Sequence, residues 1–175
     1  LHLEVVDIFA QPELAKDEDI VRVPALAFGP RGKAKLRFFG IPGGYQLSVI
    51  VEDIKTMSRG VSPLSMGTRK GLQRIDKPVQ IQVFVTPADT ACPPIARLAH
   101  ALAIENEKIT ADVIEIEEFP ALAQQYGIRS VPMTIVNEIT QIAGLTSEQE
   151  FVEKILQCGV RPEIAKEIES APVQA

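Results

Sequence analysis

Apolar and polar positions alternate over residues 79–85, where Val79, Ile81, Val83 and Val85 are separated by Gln80, Gln82 and Phe84. That period of two predicts a strand. The period lengthens to that of a helix at Ile95, Leu98, Ala99 and Leu102. A second strand is predicted over 109–116, and a short helix over 120–126 stopped by Gly127. Strands over 133–136 and 141–143 follow, joined near Asn137-Glu138. Ser147 caps a last helix whose face is Phe151, Val152, Ile155, Leu156 and Cys158, closed by Gly159. The predicted order is β-α-β-α-β-β-α.

Part of this pattern occurs earlier in the chain. Shifted by 108 positions, Val5 to Pro24 falls on Val113 to Pro132 without a gap. The identical pairs are Val5/Val113, Ile8/Ile116, Pro12/Pro120, Leu14/Leu122, Ala15/Ala123, Ile20/Ile128, Val23/Val131 and Pro24/Pro132. Repeats of this kind point to duplicated structural units. Each copy reads as strand, short helix, then a Val-Pro dipeptide opening the next strand. The first copy continues with a strand at 34–39 and a helix after Gly43-Gly44. That helix is expected to bury Leu47, Ile50, Val51, Ile54 and Met57. A linking helix is predicted from Ser62-Pro63, with Leu64, Leu72 and Ile75 on it. The expected division is a first unit at 1–60, the linking helix at 61–77, a complete second unit at 78–160 and a loose tail at 161–175. The counterpart of 78–106 would precede Leu1. The natural protein is therefore expected to be longer, and the first unit alone to have an unpaired strand edge and an open core.

Composition narrows the function. The 175 residues are 46% hydrophobic and 23% charged, ordinary for a globular chain with a core. A net charge of −5 disfavours sequence-independent nucleic-acid binding, which needs clustered Lys and Arg. No apolar run approaches the length of a membrane span. The N-terminus has no signal-peptide layout and no initiating Met, so the chain reads as processed or as a fragment. Cys92 and Cys158 do not make a secreted disulfide framework, and the expected compartment is cytoplasmic. With His2, His100 and two scattered cysteines there is no zinc spacing, and no cofactor is expected. Gly43-Gly44 lacks the Lys and Ser/Thr of a phosphate loop and reads as a turn. Glu115, Glu117 and Glu118 read as a solvated face, Cys158 as structural, and His100 as a surface or packing residue.

Four stretches carry a resemblance: FFGIPGGYQLSVIVEDIKTMSRG, RIDKPVQIQVFVTP, CPPIARLAHALAIEN and SVPMTIVNE. In this order they resemble the two-unit, glutaredoxin-like protein disulfide oxidoreductases of archaea and bacteria, members of the thioredoxin superfamily. The resemblance runs from Leu3 to about Gly159. It implies an α/β fold of tandem thioredoxin-like units, with central mixed sheets flanked by helices and the first unit incomplete. It also implies disulfide exchange with protein substrates through a Cys-Pro-x-Cys pair at a helix N-terminus. Aligned on Thr86-Pro87 and Ala99-His100, the attacking cysteine falls on Asp89, the intervening proline on Thr90 and the buried resolving cysteine on Cys92, which is expected to be an inert thiol filling a core gap. Val131 and Pro132 match the substrate-facing cis-proline loop, and Pro24 its partner in the first unit.

Disulfide exchange needs a thiolate. A helix N-terminus favours that anion, and it equally favours the carboxylate of Asp89, which makes a good cap. A carboxylate does not attack sulfur usefully, and its charge disfavours ionisation of Cys92. Pro93-Pro94 removes two N–H donors and is expected to move the helix start. Four readings remain open. The first is a redox protein with one degenerate site, acting through a cysteine pair ahead of residue 1. It would act on protein thiols and disulfides, with a thioredoxin-reductase-like flavoprotein as a further partner. The second is a module that holds peptide segments without chemistry. The third is the tandem domain of a peroxide-reducing system, against which Asp89 counts. The fourth is a decayed copy.

Overall fold

A computed structural model describes residues 2–29 and 34–160; the expected tail at 161–175 lies outside the described residues. The elements are α1 (Pro12–Asp17), β1 (Ala25–Phe28), β2 (Leu36–Phe39), α2 (Leu47–Arg59), α3 (Met66–Leu72), β3 (Val79–Val85), α4 (Cys92–Glu105), β4 (Ile109–Glu115), α5 (Pro120–Gln125), β5 (Met133–Val136), β6 (Thr140–Ala143) and α6 (Glu148–Gly159). Local chemistry sets most boundaries. Prolines open α1 and α5, where a missing N–H costs nothing. Gly60 closes α2 at φ +65°, a conformation glycine adopts without strain. Ser147 and Glu150 form a reciprocal capping box at α6.

Both halves contribute to one mixed sheet, ordered β1-β2-β4-β3-β5-β6. β2, β4 and β3 run parallel, with Phe38 opposite Val113 and Val83 opposite Val113 on the other side. β1, β5 and β6 are antiparallel to their neighbours. The sheet is buried on both faces. Val79, Ile81, Val83 and Val85 pack with Phe38, Val113 and the apolar sides of α2, α3, α4 and α6. Phe39, Phe84, Ile114 and Ile135 form a second cluster with Ile20, Phe119, Leu122 and Ile128. Across the β2–β4 seam, Arg37 Nε and Nη2 donate to Asp112 Oδ1 and Oδ2 at 2.6 and 3.1 Å. Arg37 Nη1 also reaches Asp19 Oδ2 at 2.7 Å. This fork ties a buried cation to two carboxylates.

The internal repeat extends to hydrogen bonds. Ile20 N–H donates to Ala15 O at 2.7 Å, and Ile128 N–H to Ala123 O at 2.8 Å. Gly40 N–H to Pro24 O and Gly144 N–H to Pro132 O are both 2.8 Å. Asp7 accepts from the Phe9 N–H as Glu115 accepts from the Glu117 N–H, each at 2.9 Å.

Several expectations are corrected. The strand predicted at the start of the first copy does not form. Leu3 and Val5 are 78% and 88% exposed in an irregular segment, and no described strand lies beside them to complete a ladder. The face expected to be buried on α2 is split. Val49, Ile50 and Asp53 are buried, whereas Leu47, Val51 and Met57 are exposed. α2 packs on α4, and that neighbour selects the stripe through Val49 and Asp53. The linking helix starts at Met66, not Ser62. Ser65 caps it by accepting from Thr68 N–H at 3.2 Å, and Ser62-Pro63-Leu64 precede it outside the helix. Ala91, not Asp89 as expected, holds the capping position of α4, which begins at Cys92, three residues past Asp89. Its prolines sit in the first turn, where their N–H groups would have no helical acceptor.

Candidate active site

β3 ends at Val85, and the turn Thr86–Ala91 leads into α4. β5 pairs antiparallel with β3, with Phe84 opposite Met133. That register carries Val131 and Pro132 alongside the end of β3 from which the turn departs. The Val131–Pro132 bond is cis, as is Val23–Pro24 in the first copy. Val131 packs against both apolar clusters, and Pro132 O is held by the Gly144 N–H.

Asp89 is half-buried in this turn, and its Oδ1 accepts from the Ala91 N–H at 2.7 Å. The Asp89 carbonyl accepts from the Cys92 N–H at 3.4 Å. Cys92 is the first residue of α4, with a fully buried side chain among the core residues. Burial pushes its thiol up to about 11, and the Asp89 charge adds to the rise; a hydrogen bond from the Thr86 backbone works in the opposite direction. At neutral pH the group is a protonated thiol with no solvent exposure. Cys158 is half-buried on α6, and its Sγ lies 3.5 Å from Thr140 Oγ1. Both cysteines are free thiols.

The first half of the chain braces the turn. Tyr45 N–H donates to Pro87 O at 3.0 Å, and Gln46 Nε2 to Thr86 O at 2.9 Å. Gly44 sits at φ +52°, and a Cβ there would lie 2.4 Å from Pro87 O. Gly44 opens a single 3-10 turn, Gly44–Gln46, that leads into α2, and it is the point where two backbones meet closely. Its only sequence signal was the glycine itself, because Gly44 and Pro87 are 43 residues apart in the chain.

One acidic residue, Glu115, departs from expectation, and the structure decides between the two places expected of His100. Glu115 is buried rather than solvated, and its oxygens accept from the Glu117 and Glu118 N–H groups, each at 2.9 Å. Burial holds its carboxyl above the usual range despite those bonds. His100 takes the packing place, not the surface one. It is fully buried, with Nδ1 2.6 Å from Oδ2 of the buried Asp53 on α2. Among the described residues no cluster of His, Cys, Asp and Glu is arranged to hold a metal, and no helix is long and apolar enough to cross a membrane.

A thioredoxin from Methanocaldococcus jannaschii is 30% identical over 78 residues, which are 44% of this chain and 92% of that protein. The chain belongs to the thioredoxin family. A thioredoxin domain profile matches residues 79–157, the stretch from β3 into α6 that holds the site. Its thioredoxin-family fold extends further. The crystal structure of a protein disulfide oxidoreductase from Aeropyrum pernix superposes at TM-score 0.81 and 29% identity, covering 87% of this chain. This chain spans 66% of the length of that oxidoreductase. An N-terminal domain of the alkylhydroperoxide reductase AhpF from Enterococcus faecalis gives TM-score 0.76 at 23% identity, covering 83% of this chain and 70% of that one, which speaks for the fold.

Proposed function

We propose that this thioredoxin-family protein works in thiol–disulfide exchange as a holder of extended protein segments. Its second unit binds them at Val131–Pro132 beside the α4 N-terminus and transfers no electrons there. The burial of Cys92, with its thiol raised to about 11, carries this reading. Exchange requires an exposed thiolate, and the half-exposed group at this turn is the Asp89 carboxylate. The holding loop does not depend on sulfur, because its supports are strand pairing and the Gly144–Pro132 hydrogen bond.

The test is a pair of variants. The parent chain should bind an extended, cysteine-free peptide, with NMR shifts at Val131 and Met133, and should leave insulin disulfides unreduced under dithiothreitol. Asp89→Cys should confer reduction, and Val131→Asp should remove peptide binding. Insulin reduction by the parent that disappears in Cys92→Ala would sink the non-catalytic reading.

A second reading has its own support. We propose that the first unit is completed by a further strand and helix, in which a redox cysteine pair would sit at the positions matching Asp89 and Cys92. A 350 Å³ cavity separates the N-terminal segment 2–8 from β1, lined by Leu3, Ile8 and Leu26 among others. β1 has β2 on one side and no described strand on the other. Leu47 and Val51 face outward on α2, where such a helix would pack. Determining the sequence encoded upstream of Leu1 decides between this arrangement and a chain without one.

A further inference from the structure

We propose that the trough between α2 and α4 is a binding site for a small amphipathic carboxylate. This goes beyond the peptide-holding reading and does not rest on it. Pro94, Leu98, Ala101 and Ile104 of α4 form an apolar floor, and Val61 and Leu64 an apolar wall. The cavity is about 530 Å³, in the range of small-molecule sites and too small for a folded partner.

The charges around it are unequally engaged. Every acidic side chain in the lining already has a donor. Glu52 takes Lys55 Nζ at 2.8 Å, and Asp53 is paired with His100 at 2.6 Å. Glu148 Oε1 accepts from the Ser65 N–H at 3.0 Å and the Thr68 hydroxyl at 2.5 Å. The two arginines of the lining, Arg59 and Arg97, have no hydrogen-bonded or ion-paired partner among the described residues. They reach Glu52 only as through-space charges. Arg97 is half-buried, so its guanidinium stands at the edge of the apolar floor with its donors unused. A planar fork of this kind is matched by a carboxylate, which takes two parallel N–H bonds. Apolar floor and free guanidinium together call for one molecule with a short hydrocarbon body and an anionic head. A neutral molecule would leave the arginines unmatched, and an amine would face two of them.

Octanoate is the probe. Calorimetric titration of the whole chain with octanoate should show saturable one-to-one binding. 1-Octanol and octylamine, which keep the hydrocarbon body, should bind at least roughly tenfold more weakly, a difference of about 1.4 kcal/mol. Arg97→Gln should weaken octanoate to a similar degree with an unchanged circular dichroism spectrum. Val61→Glu, at an exposed wall position, should do so by adding a like charge. Equal binding of octanol and octanoate would reduce the site to an apolar cavity and overturn the proposal. So would an unaltered octanoate affinity in both variants, or no saturable binding at millimolar octanoate. Asp89→Cys and Cys92→Ala should bind octanoate like the parent, which keeps this result separate from the fate of the peptide-holding reading.

Discussion

Replacing His100 by Leu removes one half of a buried pair and leaves the other half in place. Asp53 is 3% exposed and His100 fully buried, so each has given up nearly all its contact with water and depends on the other for a hydrogen bond. A 2.6 Å contact joins His100 Nδ1 to Asp53 Oδ2. Removing the partner of a buried carboxylate typically costs about 3–5 kcal/mol, because the acid is left desolvated and without its hydrogen bond. In a chain of this size each kcal/mol moves the melting temperature by about 2–4 °C, so His100→Leu should melt roughly 10 °C lower. Asp53→Leu should cost less, about 1–3 kcal/mol, since it orphans an imidazole rather than a carboxylate. His100 Nε2 already lacks a partner among the described side chains, and the trough that Asp53 lines gives leucine room. The double variant should recover most of the loss, because well-packed apolar residues replace a buried pair at little net cost. Urea unfolding of the parent, both single variants and the double variant yields the coupling energy. Single costs below about 1 kcal/mol that simply add would refute the pair as a buried brace between the two helices.

Other outcomes follow from the same geometry. Gly44→Ala must relieve a 2.4 Å approach to Pro87 O at a positive φ; it should cost about 2 kcal/mol or more and displace the Thr86–Ala91 turn, read as NMR shifts at Asp89. Cys92 binds its proton more tightly folded than unfolded, so its effect on stability is absent below pH 9 and grows as a loss between pH 9 and about 11. That loss approaches about 2–3 kcal/mol, and Cys92→Ala should show a flatter alkaline stability profile in urea titrations. In the folded parent, thiol reagents at pH 8 should modify Cys158 before Cys92, as mass spectrometry of the native protein would show. Arg37→Met should destabilise by about 3 kcal/mol or more in thermal melts, because it leaves Asp112 buried against the β2–β4 seam.

Most of the second half was legible in the sequence. Alternation in 79–85, the Ser147–Glu150 cap and Gly127 are local signals, and the elements stand within a residue or two of their predicted limits. Failures occur where the outcome depends on distant partners. A strand exists only against another strand, so the apolar run through Val5 could be read correctly as a pattern and still form no ladder. The stripe on α2 named the right helix but not which side would find α4. For His100 the sequence left surface and packing both open, because its partner Asp53 lies 47 positions away. Gln46 and Glu115 look like surface residues in sequence, yet both are buried polar groups answering backbone donors or acceptors. At the candidate site the sequence singled out Asp89, Cys92 and the Val-Pro loop, and the structure sets Asp89 and Cys92 at one turn-to-helix junction. The resemblance implied that Cys92 is buried, and it is, which is the observation the chemical argument turns on.

Those distant partners bear on how such a site can keep one capability without another. The Thr86–Ala91 turn is fixed from outside by Tyr45 and Gln46 and from within by Asp89. None of these supports involves sulfur. A carboxylate at position 89 bonds the Ala91 N–H and gains from the same field at the helix start that would favour a thiolate there. The turn is therefore as well anchored with Asp89 as it would be with a nucleophile, and Val131–Pro132 is anchored separately through β5. On the proposed peptide-holding reading, chemistry and grip would rest on different atoms, so a turn with Asp89 in place of an attacking sulfur would keep its hold on a chain.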